Sequence, residues 1–384
     1  MQRRQFLIGT SQSLIGAALL PIFPRPQKST GTTDAARLIG DLEKEIPQTM
    51  EETRVPGLSI AVVRDGKLFW RRGFGVRHSG SGTRVDNDTV FNVGSVSKTV
   101  FAYAVMKLSE RGVIDLDTPL TRYTPARILD GDPRLDLITA RHVLSHASGL
   151  QNWRSERDPL KIHFTPGAQY LYSGEGYSYL QSVVTQLAGH VDATRCSTFE
   201  DGLKVCATDI DTYMKANLFT PFGMTASGYV WTRMYESHAA DPHDDKGQPI
   251  ERKKASEIEA ARYAAAGLLN TTATDYAKFL IEIINPRPAD RFRLEKRTIA
   301  EMVRPHIKGG DSPTSSRGLG WEVVHTDSDD LIVHGGDNSG FHAFAAASIK
   351  QKAGYVFMTN GDGGADLLKK LIIGDTTLNR LLVG

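Results

Sequence analysis

Short β-rich runs lie at both ends of this chain with a long helical stretch between them, and this restricts how a sheet can form. Near the start, Leu58–Val63 reads as a strand, Arg64-Asp65-Gly66-Lys67 supplies a turn, and Leu68–Val76 returns. An Asp-Gly pair between two such runs is a hairpin signature. Toward the end, Gly320–His325, Leu331–His334, Phe341–Ile349 and Tyr355–Thr359 are further short runs separated by turn residues. The simplest closure is one mixed sheet drawn from both ends, with a helical subdomain inserted between them. Helical spacing appears in Ala35–Glu52 (Leu38, Ile39, Leu42, Ile46), in Ser95–Gly112 (Val100, Ala104, Val105, Leu108) and in Tyr276–Ile284, and Ala365–Leu371 begins a helical tail. From Asp115 to Ile250 short helices alternate with Pro- and Gly-rich loops. The expected class is α+β: a single domain over 34–384, with its sheet-bearing part at about 34–94 and 265–384 and its helical part at about 95–264.

The N-terminus reads as an address. Arg3-Arg4-Gln5-Phe6-Leu7-Ile8 opens a mostly apolar run to Phe23, interrupted by Thr10, Ser11, Gln12 and Ser13 and ended by Pro24 and Pro26. A spanning helix needs about 20 predominantly apolar residues, and this run is too short and too polar. Residues 1–27 resemble a twin-arginine export leader, a receptor-read signal rather than an anchor. The expectation is an exported, periplasmic or secreted protein, with no stable membrane insertion unless the leader is retained. Residues 24–33 then form a Pro/Ser/Thr/Gly-rich linker. Cys196 and Cys206 are a disulfide candidate in an oxidising compartment, and their spacing is not the C-x-x-C of a redox pair. The formal net charge is +2. Loss of Arg3, Arg4 and Arg25, with no acid in residues 1–27, would bring it to −1. Neither value suits nucleic acid or an anionic membrane surface as partner.

Chemistry enters at Gly94-Ser95-Val96-Ser97-Lys98. A serine hydroxyl is a poor nucleophile until a nearby group accepts its proton. Residues three apart on a helix share a face, so Ser95 and Lys98 point the same way if a helix begins near Gly94. Ser95 would then lie where free backbone N–H groups stabilise developing negative charge. Lys98 serves as a base only if burial lowers its pKa well below about 10.4. Alone, S-x-x-K fits equally well a capping serine followed by a solvated lysine.

Its companions change that. Phe91–Lys98, Ile138–Leu150 (which contains His142-Val143-Leu144-Ser145-His146-Ala147-Ser148-Gly149) and Phe164–Ser173 together resemble the β-lactamase-related, penicillin-recognising serine hydrolases. That family includes class C β-lactamases, D-Ala-D-Ala carboxypeptidases, D-aminopeptidases and serine esterases. The resemblance continues, in order, through Leu218–Met224, Ala265–Leu269, Gly318–Trp321 and His334-Gly335-Gly336. It implies an antiparallel sheet from N- and C-terminal strands, flanked by helices, with an inserted mainly helical subdomain. It implies Ser95 as nucleophile, with Lys98 and Tyr172 handling protons. Tyr172-Ser173-Gly174 stands where the family has Y-x-N, and the lysine ammonium is expected to lower the Tyr172 pKa. Glycine at 174 removes a donor for a substrate amide carbonyl and is expected to leave open space, which Glu175 could fill. His334-Gly335-Gly336 stands where the family has K-T-G or H-x-G. The two glycines allow close approach of substrate, and the N–H groups of Ser95 and Asp337 would form the oxyanion hole. An unperturbed His334 would be charged only below about pH 6.5, so a carboxylate-bearing substrate should bind less well at alkaline pH. No metal or organic cofactor is implied.

Several other features point elsewhere. His142 and His146 have a zinc-like spacing but lack the Glu of H-E-x-x-H, and the segment matches a non-catalytic loop. Gly73-Phe74-Gly75 and Gly361–Gly364 do not match a phosphate loop. Trp153 suits either a cleft wall or packing. The expected function is hydrolysis of an ester, D-amino-acid peptide or β-lactam, the partner being a small-molecule or peptide substrate. The alternatives are a non-catalytic peptidoglycan- or peptide-binding protein that keeps the fold, and a zinc hydrolase built on His142 and His146.

Overall fold

A computed structural model describes residues 31–124, 127–188, 207–252, 254, 257–309, 314–327 and 329–383. Residues 1–27, expected to be an export leader, and the disulfide candidate Cys196 and Cys206 lie outside the described residues.

The Asp-Gly turn forms as its chemistry requires. Asp65 (φ 52°) and Gly66 (φ 66°) both adopt left-handed backbone, the combination that a two-residue hairpin turn needs. It joins β1 (Gly57–Arg64) to β2 (Lys67–His78) with Arg64 opposite Lys67. At the other end of the chain, β9 (Asp330–Asn338), β10 (Phe341–Ser348) and β11 (Ala353–Thr359) form a meander. β1 pairs with β11, Leu58 opposite Thr359, so the two ends of the chain meet inside one sheet. The sheet runs β3 (Thr83–Arg84), β2, β1, β11, β10, β9, β8 (Glu322–His325), β7 (Ser315–Arg317), β6 (Ile307–Lys308), while β4 (Phe91–Asn92) and β5 (Asn270–Thr271) pair with each other apart from it. Every ladder in it is antiparallel, which corrects the mixed sheet inferred from element order. Tight turns force their strands antiparallel. Only long connections, such as the one between β1 and the C-terminal strands, left direction open.

Both faces of the sheet are covered, and the strands alternate accordingly. Leu58, Ile60 and Val62 of β1, with Tyr355 and Phe357 of β11, face one core. That core also holds Leu42 and Ile46 of α1 (Gly31–Thr53) and Leu367, Leu371 and Leu378 of the C-terminal helices. Ala61, Val63, Val356 and Met358 face the other core, which is built mainly on α2 (Ser97–Glu110), α3 (Ala140–Leu144), α4 (Gly174–Ala188) and helix Ala273–Ile284. The site lies at an edge within this second layer. β8 pairs with β9 only as far as Val333. From His334 to Asn338, the β9 edge opposite β10 packs instead against the 3-10 turn Gly94–Val96 that leads into α2. Among the described residues, no helix is long and apolar enough to cross a membrane.

Candidate active site

Ser95 occupies the middle of that turn. Gly94 enters it at φ 50°, and a Cβ on Gly94 would lie 2.6 Å from the Asp337 nitrogen. Ser97 Oγ closes the turn by donating to Gly94 O at 2.6 Å and accepts from the Leu269 N–H at 2.9 Å. One turn on, Lys98 Nζ donates to Ser95 Oγ at 3.0 Å and to Ala266 O at 2.5 Å. Lys98 is fully buried. The rings of Tyr172 and Tyr177 stand 4.9 and 5.5 Å from its nitrogen. Burial pushes its pKa down to about 7, so near neutral pH a large fraction is free amine.

β9 meets the turn backbone to backbone. A Cβ on Gly336 would lie 2.1 Å from Val93 O and 2.8 Å from Ser95 N, so only glycine allows this approach. The junction is fastened from both sides. Asn338 Nδ2 donates to Asn92 Oδ1 at 2.5 Å and to Gly267 O at 2.9 Å, and Asn92 Oδ1 accepts the Gly94 N–H at 3.1 Å. The backbones of Ser95 and Asp337 therefore lie side by side. The Asp337 carboxylate turns away, to His342 Nδ1 at 2.5 Å.

Tyr172 and His334 complete the cluster, with ring centroids 6.5 Å apart. The Tyr172 hydroxyl is buried without a fully formed hydrogen bond. Burial raises its pKa, and the nearby Ser95 hydroxyl opposes this only in part. The expected lowering by Lys98 is thus corrected: the amine lies over the ring face and is itself partly neutral. His334 Nδ1 donates to Gly335 O at 2.7 Å, which leaves Nε2 as an acceptor. Burial, and then the Lys98 charge, lower its pKa to about 3. His334 is therefore neutral in the working range, and the expected loss of carboxylate binding at alkaline pH through its titration is withdrawn.

Two wall residues were not among the expected site residues. His146 is buried at φ 57°, accepts the Ser173 N–H at 3.0 Å through Nδ1, and stacks on Tyr172 with centroids 4.2 Å apart. It holds the Tyr172–Ser173 backbone and presses on the phenol. His142 instead closes a capping box with Thr139 at the start of α3, so the two histidines do different jobs. Among the described residues, no three His, Cys, Asp or Glu side chains converge as a metal site. Arg317 on β7 pairs with Glu322 at 3.0 Å and lies 4.6 Å over the Tyr170 ring. Its permanent charge helps hold His146 and His334 neutral. The sequence signal was only its place before Gly318-Leu319-Gly320-Trp321.

A family model described as beta-lactamase matches residues 42–375. The chain belongs to the beta-lactamase family. It is 37% identical over 126 residues to Esterase EstB of Burkholderia gladioli, a stretch covering 32% of each protein; the match thus spans about a third of that relative. A solved class C beta-lactamase superposes with a TM-score of 0.72 at 18% identity, over 92% of this chain and 98% of that one. EstCE1, described as a hydrolase with promiscuous acyltransferase activity, gives 0.73 at 17% identity, over 92% and 100%. The architecture is therefore the β-lactamase/transpeptidase-like α+β fold, and the family and its neighbours here are hydrolases.

Within this family the departure at Gly174 has a local cause. A Cβ on Gly174 would lie 2.2 Å from the six-membered ring of Trp153, which also packs edge-on against Tyr263 with centroids 5.3 Å apart. The space expected to be open is filled by an indole. Glu175 does not enter the cleft either: it is buried and holds Arg154, accepting from its backbone N–H at 3.0 Å and from Nη2 at 2.8 Å. Gly174→Asn should therefore displace Trp153 and cost about 1–3 kcal/mol, the usual penalty for overpacking. A lower thermal midpoint with a shift in tryptophan emission would show this. An unchanged midpoint and spectrum would mean that Trp153 does not occupy the site.

Proposed function

We propose that this protein is an esterase-type serine hydrolase working through an acyl-Ser95 intermediate. The observation that carries the reading is the buried Lys98 amine, pKa about 7, 3.0 Å from Ser95 Oγ. As free amine, Lys98 takes the Ser95 proton while Oγ bonds to the substrate carbonyl carbon. The Ser95 and Asp337 N–H groups receive the developing oxyanion. When the tetrahedral adduct collapses and the ester C–O bond breaks, Tyr172 donates its proton to the departing alkoxide and recovers one from the Lys98 ammonium. Water then attacks the acyl-enzyme by the same steps in reverse. Tyr172 suits this role because it stays protonated.

Two features favour esters over carboxylate-bearing peptides and lactams. His334 offers a neutral imidazole where a fixed cation would hold a carboxylate, and position 174 presents no amide donor. The stretch shared with Esterase EstB points the same way. The twin-arginine leader supports export, so we place this activity outside the cytoplasm.

The test is intact-mass analysis after treatment with an alkyl fluorophosphonate. One adduct is expected on the native protein and none on Ser95→Ala, with hydrolysis of p-nitrophenyl esters lost in parallel. Equal labelling of both proteins would reject Ser95 as the nucleophile. Faster turnover of nitrocefin than of simple esters would move the assignment to a β-lactamase. Neither labelling nor turnover would leave the non-catalytic binder.

A further inference from the structure

Against Asn92 and Asn338, which fasten the Ser95 turn to β9, the chain forms a cavity of about 450 Å3, and we propose that it is an acyl-chain pocket selecting esters of uncharged, medium-length apolar acids. The proposal rests on the acyl-Ser95 reading above and adds the substrate class. Its position follows from the proton path. Tyr172 protonates the leaving group, so the alcohol portion of the ester lies on the flank of Ser95 shared by Tyr172 and His334. With the carbonyl oxygen between the Ser95 and Asp337 amides, the acyl chain must leave in the other direction, along β9 toward Asn338. Asn338 and Asn92, the side chains that tie the Ser95 turn to β9, are part of the cavity's wall.

The lining sets the chemistry. Val90, Trp231, Ala240, Ile250, Leu268 and Phe341 present apolar surface. Two cations reach the wall, Arg252 and Lys254, each 5.1 Å from the Trp231 ring centroid. Both are already committed, Arg252 to Asp241 and Lys254 to Glu236. With both cations paired and the Glu251 carboxylate also on the wall, an anionic tail meets no net positive charge, so the pocket rewards apolar contact. The volume falls in the usual range for small-molecule sites, about 300–1,000 Å3, and an acetyl group would leave most of it empty. Each further methylene buried is worth about a fourfold gain in kcat/KM.

The experiment compares p-nitrophenyl acetate with p-nitrophenyl octanoate. The native protein should prefer octanoate by at least about tenfold in kcat/KM, a threshold set far below the about 4,000-fold that six fully buried methylenes would give. Ile250→Trp narrows the cavity, and the octanoate-to-acetate ratio should fall by about tenfold. Trp231→Ala widens it, and the preference should move to decanoate or longer; this variant decides the matter if Ile250→Trp fails to fold. An unchanged chain-length profile in the folded variants would overturn the pocket. Octanamide separates this idea from the catalytic one, since its binding to Ser95→Ala needs no chemistry. Saturable quenching of tryptophan emission that is lost on adding Trp231→Phe supports the pocket even if no ester is turned over. Absence of octanamide binding overturns it even if Ser95 is acylated.

Discussion

Lys98→Met should lower kcat/KM for an ester by about 10²–10⁴-fold, the usual contribution of a positioned general base. Methionine keeps the length and apolar stem of lysine but cannot accept the Ser95 proton. Lys98→Arg should not rescue the loss, because a guanidinium stays protonated. The native pH profile carries the same information. In the proposed mechanism the free amine is the active form, so kcat/KM should rise through about pH 7 and then level off. Tyr172 adds no limb there because burial raises its pKa, and His334 adds none because its pKa is pushed down to about 3. A flat profile from pH 5 to 9 would show that Lys98 is not the base.

The same residue makes stability depend on pH, with a definite sign. Its folded pKa of about 7 lies below the ordinary value of 10.5, so the unfolded chain binds the extra proton between them. Stability conferred by the neutral amine is present above about pH 10.5 and is lost progressively as pH falls to about 7. Below about 7 both states are protonated and the loss is complete. The thermal midpoint of the native protein, measured relative to Lys98→Met, should therefore decline from pH 10 to 7 and then become level. A buried lysine without a carboxylate partner is a cost to the fold, carried here 3.0 Å from the Ser95 hydroxyl.

The sequence exposed what depends on local spacing. Ser95 and Lys98 are three residues apart, and the Asp65-Gly66 turn requires only its own two residues. Alternating residues along β1 and β11 sort to opposite faces of the sheet, as their period dictates. Properties that depend on distant neighbours were not visible. Gly174 could be seen as a departure from Y-x-N, but Trp153 was free to be anywhere until the chain folded it over that glycine. The protonation states of Tyr172 and His334 follow from burial and from Lys98 and Arg317, which come from other elements. His146 read as a structural residue of a non-catalytic loop, and only its contact with the phenol shows what it supports. The cavity is less visible still. Val90, Trp231, Ile250, Leu268 and Phe341 are scattered along the chain, and none belongs to a motif.

Gly336→Ala tests the junction on which the whole site depends. The new methyl would meet Val93 O at 2.1 Å, Ser95 N at 2.8 Å and Val96 N at 2.9 Å. All three are backbone atoms, so no rotamer change relieves the clash, and β9 and the Ser95 turn must separate. Bringing the 2.1 Å contact out to an ordinary one takes about 1 Å of separation, which puts one oxyanion donor out of reach, and loss of one such donor costs about 10²–10³-fold in kcat. The strain should also lower stability by about 1–3 kcal/mol. The two effects separate because Lys98 still reaches Ser95 along its own helix. In protein that remains folded, slow labelling by a fluorophosphonate should persist while ester turnover falls by about 10²-fold or more. Native turnover in Gly336→Ala would mean that the Asp337 N–H plays no part in the reaction. The oxyanion would then have to be held from the α2 side alone, by the N–H of Ser95.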